Sequence, residues 1–213
     1  MTDARIIPAR RIETELTVKN SRFIINAAPV FTTDQAQDFI RHIADKYPDA
    51  THHVPVYLIG HGSSTVAHCS DDGEPSGTAG RPALAVLKGS GLGDVAVVIT
   101  RYFGGTKLGT GGLVRAYGDS MRLALKVLPR ARKVATTTLM FIIPYSLFER
   151  TQIVINSHNG VSVEENFTTD ITLTVRLPND HLASFKEHMA ELTQGQVEFI
   201  TIGTRDNTIL PIH

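Results

Sequence analysis

The sequence predicts an α+β protein of two domains, and three observations lead to this prediction. Short strands that can pair as hairpins are mixed with helices, and no βαβ repeat of a doubly wound sheet is continued. Residues 95–99 form a continuous apolar run, typical of a strand buried on both faces. Beyond the basic residues 130–133 the pattern restarts. We therefore place residues 1–133 in the first domain and 134–213 in the second.

The elements of the first domain follow from apolar spacing and turn residues. A polar turn at Lys19-Asn20-Ser21 joins two apolar-rich runs, which indicates a hairpin. Thr32 or Thr33 can cap a helix that stops before Pro48. Residues 70–82 are too rich in Gly and Pro for a regular element. The predicted elements are strands at 13–18 and 22–30, a helix ending before 48, strands at 54–59 and 65–69, a helix at 83–88, a central strand at 94–102 and a helix at 113–128.

The second domain has the order βαββαβ, which predicts a ferredoxin-like sandwich of two helices on an antiparallel sheet. Apolar residues alternate with polar ones over 171–177, so one face of this sheet meets water. The tail from Thr204 is expected to be loosely held. The predicted elements are a strand at 134–143, a helix at 145–157, strands at 161–167 and 171–177, a helix that begins at Asn179 or Asp180 and ends at Gly195, and a strand at 197–202.

Composition narrows the functional classes. The 213 residues are 42% hydrophobic and 20% charged, as in an ordinary globular protein. No apolar run approaches the roughly 18 residues that span a bilayer, and the start lacks a signal-like apolar region, so we expect a cytoplasmic protein with no membrane partner. The single cysteine, Cys69, excludes an internal disulfide and a cysteine-rich zinc site.

Charge is distributed unevenly although the net charge is zero. Residues 1–133 hold 17 Lys and Arg against 12 Asp and Glu, whereas residues 134–213 hold 4 against 9. An anionic partner should therefore prefer the first domain, and the acidic second domain is a candidate surface for a protein partner. An incidental imbalance on a solvated surface is the alternative interpretation.

The glycine-rich segment 104–112 predicts an anion-binding site. A buried strand that leads through glycines into a helix presents backbone N–H groups and the positive end of the helix dipole to an anion. Basic side chains nearby would add charge-assisted donors. A tight turn whose glycines serve only packing is the alternative. The predicted nucleic-acid or anion-binding residues are Arg81, Arg101, Gly104, Gly105, Lys107, Gly109, Gly111, Gly112 and Arg115.

Two nucleotide-binding motifs fail on this segment. Gly104 to Gly109 has the spacing of a P-loop, but Thr110-Gly111 follows where Lys and Ser or Thr are needed. A dinucleotide fingerprint starting at Gly109 meets Val114 in its third glycine position. Neither an ATPase nor a Rossmann enzyme is predicted.

The acidic loop before the first-domain helix has two interpretations. Its carboxylates could hold a divalent ion or act as an acid and base. Alternatively, they cap backbone N–H groups or pair with arginines such as Arg81 and Arg101. The loop candidates are Ser70, Asp71, Asp72, Gly73 and Glu74. Cys69 and His68 should point to opposite faces of their strand, and the spacing of the histidines matches no zinc pattern, so no metal, cofactor or catalytic residue is assigned.

Three strings resemble signatures of the IMPACT family, in its bacterial form. They are Lys19-x-Ser21-x-Phe23, the run from Ser70 through Gly80-x-Pro82, and Arg101-Tyr102-Phe103-Gly104-Gly105 continuing through Leu108-Gly109-Thr110-Gly111-Gly112-Leu113-Val114-x-Ala116-Tyr117. The resemblance implies a ribosomal protein S5 domain 2-like fold followed by a ferredoxin-like domain similar to domain V of elongation factor G. Because that pairing occurs in a ribosomal translocase, it suggests contact with RNA or the ribosome. Eukaryotic relatives regulate translation under amino-acid stress through an extra N-terminal domain, for which a first strand near Glu13 leaves no room.

The leading functional hypothesis is a non-enzymatic, translation-associated module that binds RNA or the ribosome through the basic, glycine-rich site, with Tyr102 and Phe103 as candidate stacking residues. The first alternative is an enzyme acting on a small phosphorylated substrate with Mg²⁺ held by the acidic loop. The second is a protein-interaction module that uses the acidic domain.

Overall fold

The computed structural model describes residues 5–211 and confirms a mixed α+β fold. These residues form two compact units, one of residues 5–132 with 210–211 and one of Lys133–Ile209. No described helix is long and apolar enough to span a bilayer. The elements are β1 (Ile6–Pro8), β2 (Ile12–Val18), β3 (Ser21–Pro29), α1 (Thr33–Lys46), β4 (His52–Ile59), β5 (Val66–Cys69), α2 (Gly80–Lys88), β6 (Val95–Tyr102), α3 (Thr110–Val127), β7 (Arg130–Ile143), α4 (Phe148–Ser157), β8 (Val161–Phe167), β9 (Ile171–Pro178), α5 (Leu182–Leu192) and β10 (Ile200–Pro211).

The first unit is organised around a five-stranded antiparallel sheet in the order β2-β3-β6-β4-β5. The apolar run predicted as a central strand is β6, whose residues Val95–Arg101 are all buried. The turn between β2 and β3 places Lys19 and Asn20 at positive φ, as a two-residue hairpin turn requires. The predicted hairpin and central strand are therefore confirmed.

Helices cover both faces of this sheet. The side chain of Thr32 accepts a hydrogen bond from the Gln35 N–H at the start of α1, and Phe39 and Ile43 of that helix pack on one face. On the other face, α2 and α3 pack against the larger apolar core, which contains Phe23 and Tyr117. The ring of Tyr117 meets Phe23 edge-on at 5.3 Å between centroids. This core lies directly beneath the glycine-rich segment.

The second unit has the predicted ferredoxin-like order. Its strands form an antiparallel sheet in which β7 lies between β10 and β9, and β8 pairs with the far side of β9. The buried residues of β9 alternate with half-buried ones, as the sequence predicts. They pack with α4 and α5 around Phe141 and Phe185.

The structure corrects four details of the sequence-based prediction. Strand β7 begins at Arg130, four residues earlier than predicted, and Arg130 to Arg132 pair with β1, a strand the prediction lacked. The tail expected to be loose belongs to β10 as far as Pro211. Helix α2 begins at Gly80 and α3 at Thr110, three residues earlier than predicted in both cases.

Candidate anion-binding site

A buried ion pair lies at the base of the predicted site. Arg101, near the end of β6, is 5% exposed, and its Nη1 donates to Oε1 of Glu74 at 2.6 Å. Its Nη2 donates to Oγ of Ser21 at 3.3 Å. The sheet register places Arg101 between Phe23 on β3 and His52 on β4. The guanidinium is therefore engaged by internal partners, and contact between Arg101 and a ligand stays a prediction.

Glu74 is held by two further side chains. The hydroxyl of Tyr117 on α3 donates to Glu74 Oε1 at 2.8 Å. Burial and the adjacent charge of Glu74 raise the pKa of Tyr117, so this phenol stays protonated and remains a donor. His52 Nε2 lies 3.8 Å from Glu74 Oε2. The carboxylate of Glu74 therefore connects the acidic loop to both β6 and α3.

Gly104 ties the glycine-rich segment to the same network. Its backbone N–H donates to Oγ of Ser21 at 3.2 Å. A Cβ at this position would lie 2.0 Å from the carbonyl carbon of Asn20, so only glycine allows this close approach. A continuous series of hydrogen bonds thus runs from Gly104 through Ser21, Arg101 and Glu74 to Tyr117. We call these five residues the buried network.

The acidic loop supplies the cap of α2. The carboxylate of Asp71 accepts hydrogen bonds from the backbone N–H groups of Gly77, Ala79 and Gly80 at 2.7–3.1 Å. Burial opposes the charged form, but these hydrogen bonds and the nearby charge of Arg81 outweigh it and lower the pKa of Asp71. The N-terminus of α2 is thus neutralised by the protein's own anion.

The other loop candidates also have internal partners. Oδ2 of Asp72 accepts from the backbone N–H of His53 at 2.5 Å, and Oγ of Ser70 accepts from the N–H of Asp72 at 3.1 Å. Gly73 adopts a φ of 81° beside the ring of His52. Within residues 5–211, no three or more His, Cys, Asp or Glu side chains are grouped so that they could hold a metal ion. The capping and ion-pairing interpretation of this loop is the one the structure supports.

The N-terminus of α3 differs from that of α2. Its N-cap residue, Gly109, has a φ of 74° and provides no side-chain cap. A Cβ added to Gly105, Gly109 or Gly111 would meet no atom within 4 Å, so their backbone faces open space. Gly112 is half-buried against Leu108. The N-cap residue therefore offers no side-chain acceptor to the first backbone N–H groups of α3.

Three predicted cations lie on the surface of this unit. Lys107 and Arg115 are exposed, and neither forms an ion pair with another described residue. Arg81 is also exposed, on the first turn of α2, where its charge acts on Asp71. Lys107 precedes α3 by three residues, and Arg115 lies in its second turn. The predicted set thus divides into an internal part, Arg101 and Gly104, and a surface part.

Sequence reasoning assigned no role to Ser21, His52 or Tyr117, although all three position the site. Ser21 and Tyr117 could have been noticed in the sequence, since each is a polar group within an apolar strand or helix face. Cys69 and His68 point in opposite directions, as predicted: Cys69 packs against the larger core and His68 stacks on Tyr57. Burial raises the pKa of the Cys69 thiol.

Comparison with known proteins follows the same two-part division of the chain. Residues 19–125 match the Impact N-terminal domain, and residues 141–196 match a domain of unknown function, DUF1949. The IMPACT family member YigZ of Escherichia coli is 34% identical, and the match covers 92% of this chain and 97% of YigZ. The IMPACT family member YvyE of Bacillus subtilis is 35% identical, and the match covers 86% of this chain and 84% of YvyE. A crystal structure of a hypothetical protein matches 95% of this chain and 99% of its own, with a TM-score of 0.62 and 33% identity.

Proposed function

The chain belongs to the IMPACT family, and from that premise we propose that it is a non-enzymatic, translation-associated protein that binds RNA, free or within the ribosome, through the surface around the start of α3. We call this surface the α3 rim and define it as Gly105, Lys107, Gly109, Gly111, Gly112 and Arg115.

The exposure of Lys107 and Arg115 beside an open glycine backbone is the observation that carries this proposal. Both side chains are free of ion pairs with described residues, so their charges are available to a phosphate. The adjacent N–H groups at the start of α3 and the helix dipole favour the same anion. Contacts of this kind fix a nucleic-acid backbone without reading its sequence.

The geometry of the acidic loop gives no comparable support to a Mg²⁺-dependent enzyme. Asp71 is bound to three backbone N–H groups, Asp72 to another, and Glu74 to Arg101 and Tyr117. Holding a divalent ion would require these carboxylates to leave their present partners. The loop is better described as the framework of the α3 rim than as a reaction centre.

The first test compares removal of two cations near the start of α3 with removal of two cations elsewhere on the first unit. In Lys107→Ala/Arg115→Ala, two cations of the α3 rim are lost. In the matched control, Lys88→Ala/Lys126→Ala, two exposed cations are lost from the last turns of α2 and α3. Binding of a labelled RNA and of ribosomes would be measured for both variants and the wild type over a salt series.

We expect the rim variant to bind more weakly and to show a shallower salt dependence. Loss of two phosphate contacts reduces the slope of log K against log salt by roughly 1.4 for single-stranded RNA, from about 0.7 per contact. The control should retain nearly the wild-type slope. Equal losses in the two variants would indicate binding governed by net charge alone, and no wild-type binding at low salt would refute the proposal.

A further inference from the structure

Phe103 is an exposed aromatic residue at the start of the glycine-rich segment. It follows β6 directly, and its side chain is 47% exposed although the strand before it is buried. Large apolar side chains in such positions lose the stabilisation that burial provides. The ring of Phe103 is therefore open to a ligand of the adjacent α3 rim.

The backbone of Phe103 is fixed from both sides. Its N–H donates to Oγ1 of Thr51 at 3.1 Å. The next residue is Gly104, whose N–H is bound to Ser21 and whose backbone is packed against Asn20. The position of the ring is therefore set by the framework of the sheet and not by a freely moving loop.

The ring of Phe103 also rests on the buried network. The Cζ atom of Arg101 lies 5.7 Å from its centroid and 5.6 Å from that of Phe23 on the core side. Arg101 is in turn held by Glu74. One side of the Phe103 ring is thus supported by the protein, and its exposed area is available to another planar group.

A phosphate-binding surface needs no aromatic ring, whereas a nucleobase offers a flat π face that stacks on one. Bases of a duplex are already stacked and paired, so an unpaired base is the group that can reach an isolated ring. We propose that Phe103 is a stacking platform for an unpaired base and that the α3 rim consequently takes single-stranded RNA in preference to duplex RNA. This inference rests on the proposed function, because it assigns the nucleic-acid class bound by that surface.

The test uses Phe103→Ala, Phe103→Trp and a control, Phe167→Ala, which removes a comparably exposed ring from β8 of the second unit. The probes are a labelled 12-nucleotide oligoadenylate, the same strand in a duplex, and heparin, a polyanion without bases. Loss of one stacked base should weaken oligoadenylate binding about 5- to 150-fold in Phe103→Ala. Phe103→Trp and Phe167→Ala should bind it as the wild type does, and heparin binding should be unchanged in all three.

Wild-type protein should also bind the single strand more tightly than the duplex, although the duplex has the higher charge density. The stacking inference is overturned, with the proposed function intact, if Lys107→Ala/Arg115→Ala weakens binding while Phe103→Ala does not. It is overturned equally if the duplex binds as tightly as the single strand. Failure of the wild type to bind any of the three probes would instead refute the proposed function and the inference together. An unchanged circular dichroism spectrum and urea midpoint for Phe103→Ala would show that the variant is folded.

Discussion

Asp71 occupies the position at the N-terminus of α2 that a bound anion would take in other proteins. Three backbone N–H groups of the loop and helix converge on its carboxylate. Carboxylates in this position stabilise a helix by satisfying donors that have no intrahelical partner and by opposing the positive end of the dipole. Asp71 therefore joins the loop before α2 to the first turn of that helix.

Replacing Asp71 by Ala should lower the free energy of unfolding by about 1–2 kcal/mol at pH 7, because three donors lose their acceptor. The pKa of Asp71 is lowered in the folded protein from an ordinary value of 3.8. Its ionic contribution is therefore fully present above that ordinary value and is lost as the pH falls through the lowered one. Urea denaturation at pH 7 and pH 3 would measure this, with Asp45→Ala, on the exposed surface of α1, as the control. If Asp71→Ala lowered the free energy of unfolding as much at pH 3 as at pH 7, the charge of Asp71 would not be the source of its stabilising effect.

The location of Arg101 shows what the sequence could not reveal at the site. The glycines, the surface cations and the two possible uses of the acidic loop could all be predicted from residue types and spacing. Arg101 follows an apolar run at the end of a strand, where an arginine ordinarily reaches solvent. Its burial depends on Glu74 and Tyr117, which come from a loop and a helix distant in sequence. The sequence offered pairing with Arg101 as one use of the acidic loop, but no local pattern could select Glu74 as the partner or show that the pair is buried.

At the scale of elements, the glycine-rich segment contains glycines of two kinds. Gly104→Ala should lower the free energy of unfolding by about 3 kcal/mol or more, because the added Cβ would meet the backbone of Asn20 at 2.0 Å and the β2-β3 turn would have to move. In Gly105→Ala the added Cβ would meet no atom within 4 Å. Only the φ of 81° is unfavourable for alanine, so the free energy of unfolding should fall by about 1–2 kcal/mol. Chemical denaturation of both variants would compare the two costs. Similar values would mean that the segment shifts away from Asn20 without penalty.

The elements themselves were largely predictable, and their errors have physical causes. The hairpin turn, the cap of α1 and the buried β6 all depend on local chemistry, and all three are present. The predicted starts of α2 and α3 were too late for different reasons. The cap of α2 is Asp71, nine residues before Gly80. The first turn of α3 contains glycines, whose low helix propensity argues against a helix there. The pairing of β1 with the start of β7 spans more than 120 residues, which a local pattern cannot encode.

At the scale of the whole molecule, each unit has a hydrophobic core of its own, and strand β10 closes the sheet of the second unit beside β7. Oγ1 of Thr208 in β10 lies within hydrogen-bond distance of Oγ1 of Thr136 in β7, at 2.6 Å. The polar run before Thr208 made this segment resemble a loose tail in the sequence. Its pairing shows that this segment, as far as Pro211, is a structural strand.

Truncation after Gly203 should therefore destabilise the protein, because β7 loses its neighbour over most of the length of β10. We expect a lower urea midpoint for unfolding and faster proteolysis of the second unit than in the full chain. A chain extended by ten polar residues beyond His213 serves as the control for altered length. An unchanged midpoint after truncation would show that β10 contributes no stability.

The buried network has a further consequence for recognition at the α3 rim. Since the backbone before and after Phe103 is bound to Thr51 and Ser21, little conformational freedom remains to be lost when a ligand arrives. Ordering of flexible loops is among the larger costs of association, and a preorganised surface avoids it. Under the proposed function, the α3 rim would reach a useful affinity with a small number of contacts, and weakening Glu74 or Arg101 would reduce that affinity entropically.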